Sequence, residues 1–270
     1  MSVTCSVVVP THNRPDLLAE AVASVLVQQA ATVECIVVDD GSTPAVDLPP
    51  DRRLTVVRRD EPGGPAAARN LGIAAAAGDV VAFLDDDDVW LPGRLGLALA
   101  GLERAPVALC ADAPLTDPSA PLTGRLLEGR VHDVILDATT PTLCVTAVRR
   151  SEVLAFDEAY LGAEDVEWWL RMTERLTVAS VAEVGTLLRR HDGGRGLAGT
   201  RSRIDGSLRL LDQHRSYFAA HPTARAFRWR RIGLMAATMG NSSLARRAHL
   251  RSLAARPTLR SAVHLARALR

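Results

Sequence analysis

Short apolar runs ending in polar clusters alternate with stretches of helical spacing through the first 112 residues. Residues 4–9 are apolar, stop at Pro10, and run into the polar loop Thr11-His12-Asn13-Arg14. After Pro15, a residue suited to a first helical turn, Leu17, Leu18, Ala21, Val22, Val25 and Leu26 recur at helical spacing. Residues 34–38 form a second apolar run, closed by the turn signal Asp39-Asp40-Gly41-Ser42. A polar, Pro-containing connection, 47–53, leads to a short third strand at 54–57. Gly63-Gly64-Pro65 opens a helix over 66–77, closed by Gly78, with Arg69 and Asn70 on it. The run Val80-Val81-Ala82-Phe83-Leu84 has no helical spacing and suits a strand covered on both faces. It enters four adjacent acids, Asp85 to Asp88. A helix from Pro92 to about residue 105 and a fifth strand at 107–111, ending at Asp112, complete the alternation. Strands alternating with helices predict an α/β fold with a doubly wound, mostly parallel sheet.

The pattern then changes. Residues 114–137 are rich in turn residues, 143–148 read as a strand, and 164–174 as a helix beginning Glu164-Asp165. Residues 176–181 and 184–188 suggest two further strands, and 189–196 a glycine-rich polar segment. Helical spacing dominates afterwards, over 208–218, 227–239, 244–255 and 259–269. Charge marks the same change. All 31 acids lie within residues 1–212, which carry a net −11, while 12 arginines and no acid follow Asp212. The expected division is a catalytic domain over 1–200 and a basic helical C-terminal region over 201–270. The tail reads first as a solvated, packed helical face. A homo-oligomer interface and peripheral membrane contact are the other readings, since basic amphipathic helices bind anionic lipid.

With 270 residues and 47% hydrophobic content, a sizeable core is expected. No apolar stretch approaches the roughly 18 residues of a membrane span, and no basic-then-apolar leader is seen. These features predict a cytoplasmic protein. Cys5, Cys35, Cys110 and Cys144 sit far apart in apolar runs and read as reduced core thiols. Every basic residue other than histidine is arginine, which excludes a catalytic lysine.

Four neighbouring carboxylates repel one another, and a hard cation such as Mg2+ or Mn2+ relieves this while holding phosphates. A solvated acidic turn is the plainer reading. The choice depends on the other strand ends, because ligands of open α/β sheets bind at the carboxyl ends of the strands. Thr11 to Arg14, Asp39-Asp40 and Asp85 to Asp88 all fall at such ends. No G-x-G-x-x-G follows the first strand and no G-x-x-x-x-G-K-[ST] occurs, which argues against a dinucleotide fold and a P-loop nucleotidase.

The set VVVPTHNR, VVDDGS, GPAAARNLGI and VVAFLDDDDVWLPGRL, in this order across residues 3–95, resembles the inverting family-2 glycosyltransferases of GT-A fold. GAEDVEWWLRM and LRRHDGG extend the resemblance to about residue 195. It implies a nucleotide-diphosphate sugar donor and Mg2+ or Mn2+. Pro10 and Thr11 would flank the base. Asp40, with Asp39 beside it, would bind a uracil or thymine ring, favouring UDP or dTDP. Arg69 would lie near the diphosphate. The D-x-D acids would be Asp85 and Asp87, with Asp86 between them on the nucleotide side, and Asp87 the direct metal contact. The fourth acid, Asp88, leaves that register open by one residue. Asp165 would be the catalytic base, and His191 would close on the metal–diphosphate group.

The chemistry is consistent with those roles. A leaving diphosphate gathers negative charge, which a metal stabilises as a Lewis acid. An Asp, ordinarily ionised at neutral pH, can take the acceptor hydroxyl proton. One base and one metal suit a single inverting displacement; retention by double displacement needs a nucleophilic carboxylate as well. Glu164-Asp165 also suits acids favoured at a helix start, and Trp168 and Trp169 read as core. The acceptor would be a saccharide, a lipid-linked sugar or a natural product, with no nucleic-acid partner. Rival readings are a sugar-1-phosphate nucleotidylyltransferase, whose usual Arg/Lys glycine-rich loop is missing here, and a non-catalytic nucleotide-sugar binder.

Overall fold

Burial on both faces turns the apolar runs into adjacent strands. The computed structural model describes residues 3–120, 125–189 and 197–268. Strands β1 (Thr4–Thr11), β2 (Thr32–Asp40), β3 (Leu54–Arg59) and β4 (Val80–Phe83) alternate with helices α1 (Pro15–Leu26) and α2 (Gly64–Ala75). Then come β5 (Val89–Trp90), α3 (Arg94–Leu102), β6 (Val107–Pro114), β7 (Thr146–Arg149), α4 (Glu164–Arg175) and β8 (Val178–Leu188). Helices α5 (Leu197–Gln213), α6 (Arg215–Ala220), α7 (Pro222–Thr238), α8 (Ser242–Ala255) and α9 (Leu259–Ala268) finish the order.

The strands form one mixed sheet in the order β3-β2-β1-β4-β7-β6-β8-β5. Pairs β1–β2, β1–β4, β2–β3 and β6–β8 are parallel, as expected. Strand β7 runs antiparallel to both β4 and β6, and β5 is antiparallel to β8. Three details differ from the sequence reading. Residues 143–148 begin with a 3-10 turn, Leu143–Val145, before β7. The two strands expected at 176–188 are one long β8, whose pairing with β6 shifts register near Ala111. The helix expected at 208–218 is α5 followed by α6, because the backbone leaves helical geometry at His214.

Contacts divide the chain into two units: Met1–Val131, Pro141–Glu158 and Arg171–His191; and His132–Thr140, Ala159–Leu170 and Asp192–Arg270. The first holds the sheet. Its core joins Val7, Val9, Leu18, Val37, Trp90 and Leu95, all 1% exposed or less. The second has its own core of Ile204, Ile232, Ala236, Ala245 and Ala248. Trp168 and Trp169, which belong to the second unit, are fully buried and pack edge to face at 5.3 Å, in agreement with their reading as buried core residues. Among the described residues no helix is long and apolar enough to cross a membrane.

One packing detail fixes α2 against the sheet. A Cβ built on Gly72 would lie 2.3 Å from Val8 Cγ1, a fully buried β-branched side chain. Gly72→Ala is therefore expected to destabilise the fold by about 1–3 kcal/mol through overpacking, despite the better helix propensity of alanine. Denaturant unfolding checks it; equal or higher stability would mean that α2 stands further from β1.

Candidate active site

The site begins with strand register. Strand β1 lies between β2 and β4, with Thr11 opposite Asp39 and Val8 opposite Phe83. Three carboxyl ends therefore converge, and their polar residues are hydrogen-bonded together. The Thr11 hydroxyl donates to Asp86 Oδ2 at 2.7 Å. Asn13, held at φ 56°, receives the Thr43 N–H at 2.8 Å, and its own N–H donates to Ser42 Oγ at 3.0 Å. His12 Nδ1 lies 2.8 Å from the carbonyl oxygen of Asp40.

The two acids ending β2 are almost fully enclosed. Asp39 accepts the backbone N–H of Ser42 and of Val46 and pairs with Arg58. Burial alone would raise its carboxyl, but these hydrogen bonds outweigh it and hold Asp39 below the usual range. Asp40 accepts from Gly63 N–H at 2.9 Å and Gly64 N–H at 2.7 Å, and pairs with Arg59 Nε at 2.9 Å. Arg58 and Arg59 continue β3 in direct register with Asp39 and Asp40. Cross-strand pairing of opposite charges accounts for both contacts. The dipeptide after the third apolar run was the signal for them in the sequence.

After β4 the chain turns tightly, with Asp88 N–H donating to the Asp85 carbonyl at 3.1 Å. Each acid then faces a different partner. Asp85 pairs with Arg69 Nη2 at 2.8 Å; Arg69 is buried, on α2, 5.6 Å over the Phe156 ring. Asp86 and Asp87 share a single nitrogen, Arg14 Nη1, at 3.0 and 2.8 Å. Asp88 accepts the Cys144 thiol at 3.0 Å and the Arg189 N–H at 2.9 Å. Burial pushes the Asp88 carboxyl up to about 7; those two hydrogen bonds act the other way, and the charges of Asp85 and Asp87 add to the rise. Burial likewise raises Asp86, against Thr11 and Arg14.

Among the described residues, ligand atoms of Asp85, Asp88 and Cys144 lie within 4.8 Å of one another. Two carboxylates suit Mg2+ or Mn2+, whereas the thiol is a softer ligand type. A buried acid raised by its own surroundings is also one that added positive charge would favour in its ionised form. The donor set thus fits a divalent cation. Asp87, expected as the direct contact, faces Arg14, and Asp85 belongs to both sets. Cys144, read from the sequence as a core thiol, is buried as expected but also hydrogen-bonded to this turn; its isolated place in an apolar run offered no signal. His191 lies outside the described residues.

Residues 6–133 match the family model described as Glycosyl transferase family 2. Over that segment the chain is similar to this family, as its motifs implied. Among relatives, the succinoglycan biosynthesis protein ExoO of Rhizobium meliloti (strain 1021) is 38% identical over 159 residues, covering 57% of this chain and 44% of ExoO. The chain thus spans less than half of that relative's length. A putative colanic acid biosynthesis glycosyl transferase, WcaA of Escherichia coli (strain K12), is 29% identical over 236 residues, 79% of this chain and 82% of WcaA. Two solved structures carry the fold likeness. S. aureus TarS in complex with UDP-GlcNAc has TM-score 0.65 at 18% identity, covering 98% of this chain and 79% of that one. The mannosyltransferase PcManGT from Pyrobaculum calidifontis, in complex with GDP-Man and Mn2+, has TM-score 0.61 at 19% identity, covering 99% and 79%. The fold is the GT-A type that the motifs implied.

Asp165, the expected base, is the second residue of α4, and the start of that helix belongs to the second unit. Ala163 precedes it at φ 65°, a left-handed conformation uncommon for a residue with a Cβ. Within the same unit, α5 crosses the approach to this helix closely: a Cβ on Gly206 would lie 1.7 Å from the Gly162 carbonyl oxygen. Arg209 Nη1 donates to the Ala159 carbonyl at 3.1 Å, and the Tyr160 hydroxyl donates to Gln213 Oε1 at 3.0 Å. Arg228 on α7 is buried, and its Nε has no hydrogen-bond partner among the described residues. Burial pushes its guanidinium down to about 10, Arg231 acts in the same direction, and the Asp165 carboxylate acts against both. A positive group therefore faces Asp165 from α7.

Proposed function

We propose that the chain is a cation-assisted, inverting glycosyltransferase taking a sugar from a UDP or dTDP donor to an acceptor hydroxyl. The observation that carries this reading is the convergence of three strand ends, where Asp85 and Asp88 face one another beside Arg69. Thr11 and Pro10 border the base, and Asp40, with Asp39 beside it, orients it. Asp40 already holds the Gly63 and Gly64 N–H groups, so base and loop would be ordered through one carboxylate. Arg69 sits where a diphosphate bound to the acidic turn would receive its charge. Asp85 with Asp87 or Asp88, completed by His191, would hold Mg2+ or Mn2+. That ion would supply Lewis-acid stabilisation of the leaving diphosphate. Asp165 would accept the proton of the acceptor hydroxyl, whose oxygen then attacks the anomeric carbon from the face opposite the diphosphate. The polysaccharide-biosynthesis names of ExoO and WcaA support a saccharide acceptor.

A thermal-shift screen of nucleotide sugars with Mn2+ tests the donor class. A donor at about 100 times its Kd adds about 2.7 kcal/mol of stability. For a chain of this size that raises Tm by about 5–10 °C. UDP- or dTDP-sugars are expected to do so and GDP-sugars to do so less. A response to GDP-sugars alone would overturn the pyrimidine assignment, and no response to any donor would overturn the donor site.

A further inference from the structure

Arg14 is part of the first polar loop. Its position is unusual. One nitrogen, Nη1, bridges the carboxylates of Asp86 and Asp87 at 3.0 and 2.8 Å. Arg69, the other arginine of the acidic turn, is 7% exposed and rises from the middle of α2, whereas the Arg14 side chain is 47% exposed. Arg14 is the residue before α1, with a non-helical backbone, directly after the left-handed Asn13. A long, half-exposed side chain on a loop can exchange partners; a buried one within a helix is held.

The acidic turn needs compensating charge whether or not a cation is bound. Four carboxylates lie within four consecutive residues, and Asp86 and Asp88 are buried. Asp85 has Arg69, and Asp88 has a thiol and a backbone N–H. Arg14 pairs with both Asp86 and Asp87. It stands where part of a divalent ion's charge would be needed. Both cannot neutralise these carboxylates fully, and a nucleotide diphosphate brings new anionic oxygens that a guanidinium binds well.

We propose that Arg14 is a built-in counter-ion that holds Asp86 and Asp87 in the metal-free protein and moves to the donor diphosphate when the cation takes the acidic turn. The exchange couples the two ligands. The cation releases Arg14 from the carboxylates, and the diphosphate accepts it, so each favours the other through a single side chain. The inference rests on the cation-assisted reading above.

The test is Mn2+ binding to the full chain, followed by the loss of the free-ion electron paramagnetic resonance signal, with UDP affinity measured in parallel at saturating Mn2+. If Arg14 covers the carboxylates about nine-tenths of the time, removing it should tighten Mn2+ binding about tenfold. Arg14→Gln is therefore expected to bind Mn2+ about tenfold more tightly without nucleotide, and to bind UDP about tenfold more weakly. Arg14→Lys, which keeps the charge, is expected to stay close to the native Mn2+ affinity. Unchanged Mn2+ affinity in Arg14→Gln, with native binding intact, overturns the counter-ion while leaving the cation site standing. Tighter Mn2+ with unchanged UDP binding overturns the transfer to the diphosphate. No Mn2+ binding by either protein overturns the cation reading itself and this inference with it.

Discussion

Asp165→Asn should lower turnover by about 10³ while leaving donor affinity within a factor of about two, since a positioned general base contributes about 10²–10⁴. Asparagine keeps the size and shape of the side chain and removes only its capacity to take a proton. The contrary reading makes Asp165 a helix-start acid, favoured by the α4 macrodipole. That role is worth about 0.3–1 kcal/mol of stability and nothing in turnover. The two readings predict different measurements. A base gives a large fall in kcat with unchanged donor Kd and almost unchanged Tm. A helix-start acid gives a small fall in Tm with kcat intact. Glu164 stands beside Asp165 in the first turn of α4 and would retain part of the favourable dipole interaction, so the stability loss should be small on either account. Donor titration and initial rates on one preparation decide it, and a fully active Asp165→Asn variant would remove Asp165 from the chemistry.

The half of the fold that carries the acidic turn was legible because its strands are short apolar runs that stop at charged or turn residues. Both features come from the same geometry, in which a covered parallel strand emerges at a ligand-facing edge. Strand direction was not legible. Residues 143–148 read as one more apolar strand, and a run buried on both faces looks the same whichever way it points, so the antiparallel β7 gave no sign. Strand β8 was split in two because Ala182 and Glu183 are exposed at its middle, which interrupts the apolar pattern without interrupting the strand. Helix α5 starts well before the expected 208 because Gly206 weakens the helical signal, although close approach to Gly162 is what requires glycine there. In the acidic turn, the sequence located the carboxylates but not their partners. Arg14, Cys144 and Arg189 come from three distant segments, and only the sheet order brings them to one place.

Asp85→Ala is expected to be the most damaging change in the acidic turn, with Mn2+ binding at least about 100-fold weaker and turnover down by about 10³. Outer partners of metal ligands already cost about 10–100-fold in affinity when removed, so a direct ligand should cost at least the upper end. Losing several kcal/mol of Lewis-acid stabilisation, at about 1.36 kcal/mol per tenfold in rate, gives the second figure. Asp85 has this weight for a structural reason. It belongs to the pair that the motif implies, Asp85 with Asp87, and to the group that the structure brings together, Asp85 with Asp88 and Cys144, so its loss should remove the cation in either register. It also holds Arg69, which is buried against Phe156, so the arginine expected at the diphosphate loses its ion pair at the same time. Asp87→Ala and Asp88→Ala then separate the registers. The variant that weakens Mn2+ as much as Asp85→Ala does is the second ligand. The other removes a contact to Arg14, or to Cys144 and Arg189, and should leave most of the affinity in place. Native rate and native Mn2+ affinity in Asp85→Ala would take Asp85 out of the cation site, whereas a native rate with Mn2+ binding lost would take the cation out of the mechanism and leave Arg69 and Arg14 as the charges that receive the diphosphate.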